Sequence, residues 1–546
     1  MAPSSLLGNG NGNDACSTSK RGGEGELPPL RRAEEVEDLI DAVKELIIPY
    51  IRSADENVET PRKRDVLVDA RNPEELVDLC SSSLVLPERD GRGKEGLLDV
   101  VADVLRYSVN TWDQGFLDKL YSSTNAVGVI SEMLLAVLNT NVHIYHTSPS
   151  LTVVEKTTAR ALASLFGLVG PRAGGVTCQG GSSSNLTSLI IARNTLFPAT
   201  KTDGNAGRRF AVFTSAHGHY SVEKSATTAG LGSRSVVTVP VDKEGRMIPS
   251  ALEAAIKKAK ERDGMTPLYV NATAGTTVLG SFDPLDEIAD ICKSNGVWFH
   301  VDASWGGGVV FSDRYGYKLK GAERADSVTV NPHKMINVPV TCSFLLTRDV
   351  SIFHRANTLP AGYLFHSDDD EDDEHEEEEE EERDKYWDLA DLTLQCGRRG
   401  DSLKLALAWI YYGKAGFAAQ VEHAFDMAAY LATLIQRESD RFVLLSSNPP
   451  PCLQVCFYHH HHHHQRRGAG EKDDDDVEEG NNNNNTRRTK TMVRKLKDRG
   501  FMVDYAPGDA GSFVRVVVNC QTRRSTVEGL ATALCEIAKE EEEEEA

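Results

Sequence analysis

Lys334 follows Asn331, Pro332 and His333 just behind a short apolar run, Ser327 to Val330, and Asp302 ends another, Val297 to Val301. A lysine amine can condense with a carbonyl as a Schiff base. A carboxylate buried beside a heteroaromatic nitrogen holds a proton on that nitrogen by favouring its charged form. In open α/β sheets ligands sit outside the carboxyl ends of the strands, which is where both residues fall. Together they could drain the electrons of a carbanion into a conjugated ring, which an amino acid needs if its carboxylate is to leave from Cα at neutral pH. Taken alone, Asp302 has a lesser alternative as a cap of the helix after its strand, and that alternative recedes once Lys334 sits behind a second strand.

The elements that must position this pair can be read from periodicity. From about 150 to 350, helical stretches such as Leu252 to Arg262 and Leu285 to Asn295 alternate with apolar runs. Those runs are Phe210 to Phe213, Leu268 to Asn271, Val297 to Asp302, Ser327 to Val330 and Cys342 to Leu346. Such alternation predicts an α/β domain with a mostly parallel sheet. Upstream, Val36, Leu39, Ile40, Val43, Leu46 and Ile47 fall at helical spacing, and Pro49 is expected to stop that helix. Downstream, Leu403 to Tyr412 and Phe417 to Leu434 read as helices, and Phe513 to Val518 as a strand followed by a last helix. The expected organisation is a disordered lead over 1–32, a helical segment over 33–149 and a large α/β domain over 150–360. A mobile loop follows over 361–395 with an acidic insertion at 368–382, and then a smaller domain over 396–546 with a low-complexity insertion at 459–488.

The formal charge of −22 is concentrated in three acidic runs, Asp368 to Glu382, Asp473 to Glu479 and Glu540 to Glu545, which leaves the rest of the chain slightly positive. It therefore argues only weakly against nucleic acid and says little about the site. No nucleic-acid or membrane partner is expected, because no apolar run approaches the ~18 residues that span a bilayer. Ten scattered cysteines without a CxxC pair predict reduced thiols, and the Gly-, Asn- and Ser-rich start lacks the apolar segment of a signal peptide, so a cytoplasmic location is the default. The run His459 to His464 lies in a tract of Asp, Asn and Gly and reads as a loop expansion rather than a metal site, which would need fixed ligands and a second shell.

Four segments in order, Tyr269 to Pro284, His300 to Gly307, Asn331 to Lys334 and Leu394 to Arg398, resemble the group II pyridoxal-phosphate decarboxylases. Within that group they are similar to the branch acting on glutamate, cysteine sulfinate and aspartate. The resemblance runs from about residue 100 to the C-terminus outside the two insertions. It implies a fold-type I, aspartate aminotransferase-like homodimer, with a mostly parallel large-domain sheet, a smaller α+β C-terminal domain and active sites at the subunit interface. It implies pyridoxal 5'-phosphate as cofactor, with Lys334 as the Schiff-base lysine and Asp302 under the pyridine nitrogen. Gly181 to Asn185 matches the phosphate turn, with Ser183 and Ser184 as donors; small residues opening a helix suit an anion. His219 matches the histidine stacked on the ring, Thr277 a cofactor-side threonine, and Asn331 and His333 flank the lysine. Arg515 matches the arginine that grips the α-carboxylate, for which a guanidinium fork is apt.

Three positions depart from that pattern. Lys119 stands where glutamate decarboxylases carry a glutamine toward the distal carboxylate, and His143 replaces a pocket aromatic. Both keep the distal pocket polar or positive, which predicts a small acidic substrate, with aspartate slightly ahead of glutamate and cysteine sulfinate; Lys119 could instead pair with Asp118. In the loop, Trp387 occupies the position of the tyrosine that protonates the substrate carbon. Indole is not a usable acid, so Tyr386 is the candidate donor through a shifted register. The predicted activity is α-decarboxylation with release of CO2. The alternatives are decarboxylation-dependent oxidation to an aldehyde, or a degenerate member that acts as an interaction protein.

Overall fold

The computed structural model describes residues 31–56, 67–359, 386–459 and 474–545. The acidic insertion 368–382 and the histidines His460 to His464 lie outside the described residues, as does most of the lead.

Strands buried on both faces form the middle of one seven-stranded sheet. Its strands are β1 (Gly174–Cys178), β2 (Phe210–Ser215), β3 (Val236–Val239), β4 (Thr266–Thr273), β5 (Trp298–Ala303), β6 (Ser327–Val330) and β7 (Ser343–Thr347), in the order β1-β7-β6-β5-β4-β2-β3. β3, β2, β4, β5 and β6 run parallel, and β7 is antiparallel to both its neighbours. Every residue of β5 and β6 is buried. Helices Pro249–Glu261 and Leu285–Asn295 pack on one core, while Gly181–Leu196 crosses the opposite face against β4, β5, β6 and β7. The fold is the α/β class expected from the alternation. The register places Thr273 beside Asp302 and Asp302 beside Thr329, so the carboxyl ends of β4, β5 and β6 are level.

The second sheet is antiparallel, with β8 (Phe442–Leu444), β9 (Gln454–His459), β10 (Asp504–Gly508) and β11 (Gly511–Val517) in the order β10-β11-β9-β8. A second core lies between this sheet and the helices Asp474–Asp498 and Arg524–Glu545. The segment around Leu117 is stitched to the same sheet, its N–H donating to Met502 O at 2.9 Å and its carbonyl accepting from Val517 N at 2.8 Å. That stitch carries Asp118 and Lys119 to the edge of β10 and β11.

Two expectations about local structure change. Pro49 does not stop the first helix, which runs from Arg32 to Glu56. Proline removes one backbone donor, yet the apolar face continues beyond it through Tyr50 and Ile51 to the buried Ala54, and packing against the helix Gly93–Tyr107 carries the helix through. The low-complexity tract is likewise not wholly outside the fold. His459 closes β9, buried with its Nδ1 3.4 Å from Glu541, and the asparagine run lies in the helix Asp474–Asp498. Asn482 and Asn485 donate side-chain amides to the carbonyls of Asp509 and Ala510 in the β10–β11 turn at 3.1 and 2.7 Å. Polar side chains that cannot build a core can still dock a helix by hydrogen bonding. The expected break between the helices of the small domain occurs at Gly413, whose φ of 69° interrupts Ser402–Arg437.

Below the large sheet, Arg398 forms a buried ion pair with Glu155 and donates to Val142 O at 2.8 Å. Glu155 also accepts from the Thr177 N–H of β1 at 2.8 Å. This pair ties the chain after the 361–395 segment to the sheet that carries the site.

Candidate active site

A cavity of about 240 Å³ opens at the carboxyl ends of β4, β5 and β6. Lys334, Asp302, His219, Thr277, Asn331 and His333 all line it, together with Gly181, Ser182, Asn185, Tyr220, Thr273, Ser304 and Trp305. The sheet supplies Asp302 and Thr273 as the last turns of its strands, and Lys334 comes from the turn after β6. His219 and Tyr220 come from the turn after β2, just before the helix Ser221–Thr228.

Asp302 is fixed from two sides. Its Oδ2 accepts from Asn185 Nδ2 at 2.8 Å and its Oδ1 from the Ser304 N–H at 3.0 Å. Burial alone would raise its pKa, but these hydrogen bonds, with His300 and Lys334 nearby, more than offset that and hold the carboxyl below its usual range. Asn185 is itself oriented by His300, whose Nε2 lies 3.1 Å from Asn185 Oδ1. Burial pushes His300 down to about 4, against the opposing pull of Asp302, so the ring is neutral and the Nε2 proton is donated to the amide oxygen. Its Nδ1 then accepts one hydroxyl proton from the hydrogen-bonded pair Ser188 and Ser327, whose oxygens lie 3.0 and 2.8 Å away, and Tyr269 stacks on its face at 5.5 Å. Neither His300 nor Asn185 stands out by type in the sequence; each belongs to a quoted motif, but the relay between them needs the helix Gly181–Leu196 laid across β5.

Burial lowers the Lys334 pKa, only partly opposed by Asp302, which favours the neutral, nucleophilic amine. His219 is lowered in the same way, by burial first. Its Nδ1 accepts the Ser221 N–H at 3.2 Å, which places the proton of the neutral ring on Nε2. His333 is pushed down to about 4 by burial, and its Nδ1 is pinned 2.6 Å from Cys342 O.

Other residues singled out by sequence lie elsewhere. Gly181 and Ser182, rather than Ser183 and Ser184, face the cavity. The helix begins at Gly181, and its turn carries Ser184 inward, where its hydroxyl meets Ser343 Oγ at 2.8 Å. Lys119 and Arg515 lie beyond the cavity wall, joined through Asp504 at 3.0 and 2.7 Å. Lys119 is also 2.9 Å from Asp118, the pairing left open by the sequence. Arg515 reaches the rim by donating Nη1 to Thr277 O at 3.0 Å. His143 is outside the cavity, its Nδ1 3.1 Å from Asn141 O. Tyr386 packs against His354 with ring centroids 4.6 Å apart and the planes tilted by 30°, and Trp387 lies under Lys156 and beside Tyr145, so neither lines the cavity of its own chain.

Residues 86–460 match the family described as the pyridoxal-dependent decarboxylase conserved domain. The chain belongs to this family. It is 55% identical to the L-aspartate decarboxylase dtxS4 of Metarhizium robertsii over 522 residues, covering 94% of this chain and 98% of that one. It is 41% identical to the glutamate decarboxylase-like protein FG08083 of Gibberella zeae over 471 residues, covering 82% and 88%. Among solved structures, mouse CSAD superposes with a TM-score of 0.80 at 33% identity, covering 92% of this chain and 99% of that chain.

The pyridoxal-dependent decarboxylase is thus an amino-acid carboxy-lyase of fold type I, with pyridoxal phosphate as its cofactor. The residues present fit that group. Ser304 Oγ, Thr273 Oγ1 and Asn331 Oδ1 are buried at the cavity without a hydrogen-bond partner among the described residues, an arrangement that a polar ligand would satisfy. A Cβ on Gly181 would come within 2.5 Å of Ser304 Oγ and 2.8 Å of Asn331 Nδ2, so the approach to these donors requires glycine. The helix that starts there has no side-chain cap among the described residues, and its N-terminus suits an anion.

Proposed function

We propose that the enzyme decarboxylates a small acidic L-amino acid at Cα, with aspartate to β-alanine the favoured reaction and glutamate or cysteine sulfinate the next candidates. The observation that carries this reading is the 55% identity, over nearly the whole of both chains, to an L-aspartate decarboxylase. It is supported by Arg515, which reaches the cavity rim through Thr277 O, and by Lys119, held to Arg515 through Asp504.

When bound, pyridoxal phosphate supplies the conjugated electron sink. Lys334 would hold it through its neutral amine, and Asp302, fixed as an anion, would keep the proton on its ring nitrogen. His219 would cover the ring as a neutral imidazole, while Asn331, His333, Ser304 and the start of the helix at Gly181 and Ser182 would hold its polar substituents; Ser183 and Ser184 follow in the same turn, outside the cavity lining. Arg515 would grip the α-carboxylate, and a fixed grip there sets the bond to be broken perpendicular to the ring. Lys119 and His143 would contribute positive or polar character toward the distal acid group, and Tyr386 would return the proton to the substrate carbon.

The helix Ala126–Leu138 exposes Val129, Ile130, Met133, Leu134 and Val137, an apolar face of the kind that marks a protein interface. We take it as part of a homodimer contact, and sedimentation at micromolar concentration is expected to give twice the chain mass. A monomer retaining full activity would contradict it. A cytoplasmic setting agrees with the free thiol of every described cysteine; no described helix is long and apolar enough to cross a membrane.

One observation favours oxidation to an aldehyde as a second reading: neither Tyr386 nor Trp387 lines the cavity of its own chain. Incubating the holoenzyme separately with aspartate, glutamate and cysteine sulfinate, and reading amine, aldehyde and hydrogen peroxide, separates the two. β-Alanine without peroxide is expected. Stoichiometric peroxide with aldehyde would establish the second reading, and no product from any of the three acids would remove the acidic-substrate reading.

A further inference from the structure

Asp504 places one of the chain's own carboxylates on the cation pair beside the cavity. A single oxygen, Oδ2, accepts from Arg515 Nη2 at 2.7 Å and from Lys119 Nζ at 3.0 Å, and Oδ1 accepts from the Tyr505 N–H at 2.9 Å. The contact is built into the fold, because β10 and β11 pair with Asp504 directly opposite Arg515. Arg515 is otherwise held by backbone, with Nη1 on Thr277 O at 3.0 Å and Nη2 3.4 Å from Asp118 O. Its Nε is buried with no hydrogen-bond partner among the described residues.

These contacts conflict with simple recognition of a carboxylate. A guanidinium grips a carboxylate strongly when it offers two N–H groups on one edge. Arg515 offers a free Nε–H, but Asp504 already occupies the adjacent Nη2. The two cations and the two nearby carboxylates, Asp118 and Asp504, also balance in charge, so little net attraction is left for an anion. The free Nε–H and the occupied Nη2 together make the two-pronged seat that a carboxylate takes when Asp504 moves aside.

We propose that Asp504 is a positioning residue that sets substrate affinity: a resident carboxylate that the α-carboxylate of the substrate displaces from Arg515. This rests on the reading of the substrate as an acidic amino acid held by Arg515. Lys119 makes the exchange feasible, since it retains Asp504 after Arg515 is taken and no carboxylate is stranded without a partner. In its absence from Arg515, Asp504 keeps the Tyr505 N–H as well. The exchange weakens binding of substrate and transition state alike, so it acts on KM and leaves the chemical step alone.

The test compares the holoenzyme with Asp504→Asn and Asp504→Ser, which remove the charge, and with Asp504→Glu, which keeps it. The Asp504 side chain is 28% exposed at the end of a hairpin, so these changes leave both cores intact. KM and kcat are measured for L-aspartate, and the dissociation constant of succinate, a dicarboxylate without the reacting amine, is measured by calorimetry. In both neutral variants, KM and the succinate constant are expected to fall roughly three- to tenfold, in the range of the net contribution of one ordinary hydrogen bond, with kcat changed by less than about twofold. Asp504→Glu is expected to show no fall. An unchanged or raised succinate constant in both neutral variants would overturn the proposal and leave Asp504 as a scaffold for Arg515. Failure of the wild-type enzyme to turn over any of the three acids would instead sink the substrate reading, and succinate binding would still decide the exchange.

Discussion

Lys334→Ala is expected to lower kcat by about four orders of magnitude or more, because in the role proposed for Lys334 it removes both the covalent anchor of the cofactor and a proton-transferring amine from one buried position. The lysine is buried beside Asp302, its pKa lowered by that burial, and it lines the cavity directly behind β6. A lowered pKa raises the fraction of the amine that is unprotonated and able to attack a carbonyl. The variant should also lack the visible band near ~420 nm that a lysine-bound pyridoxal shows when cofactor is added. Gel filtration should still give the wild-type assembly, since a shortened side chain at a ligand cavity opens space that solvent can fill. Turnover within about tenfold of wild type would show that another amine does the work.

Asp302→Asn is expected to lower kcat about a thousandfold, comparable with the loss of one charge-stabilising contact in a dry site. The substitution keeps size and shape but loses the anion that would hold a proton on the ring nitrogen. It also places an amide NH2 where Asn185 already donates at 2.8 Å, so two donors face each other. Relief requires one amide to turn, and turning Asn185 breaks its contact with His300 at 3.1 Å. The cofactor should remain lysine-bound, with its visible band present, while single-turnover decarboxylation slows. If kcat in this variant stayed within about fivefold of wild type, Asp302 would have only a structural part.

Lys334 and Asp302 could be read from the sequence because their chemistry is carried by residue type and their placement by a local rule, the carboxyl end of a buried strand. The parallel strands were legible from their valine, phenylalanine and alanine content between helical stretches, although β5 and β6, buried throughout, also carry His300, Asp302, Ser327 and Thr329. Ser183 and Ser184 were harder, because the phase of a helix decides which serine faces the cavity, and that phase is set by where the helix starts. The bridge from Lys119 through Asp504 to Arg515 could not be read at all. It depends on β10 pairing with β11 and on the stitch that brings Leu117 to Met502, contacts between residues remote in sequence. The asparagine run misled because its composition says it cannot bury apolar surface; its hydrogen bonds to the β10–β11 turn are visible only once that turn exists.

The most direct test of the central claim, that this site removes the α-carboxylate of an acidic amino acid, is carbon dioxide release from L-aspartate labelled at a single carboxyl carbon. Label at C1 should appear in CO2 in a one-to-one ratio with β-alanine, and label at C4 should remain in β-alanine. Release of the C4 label, or retention of the C1 label in an aspartate-derived product, would contradict the account.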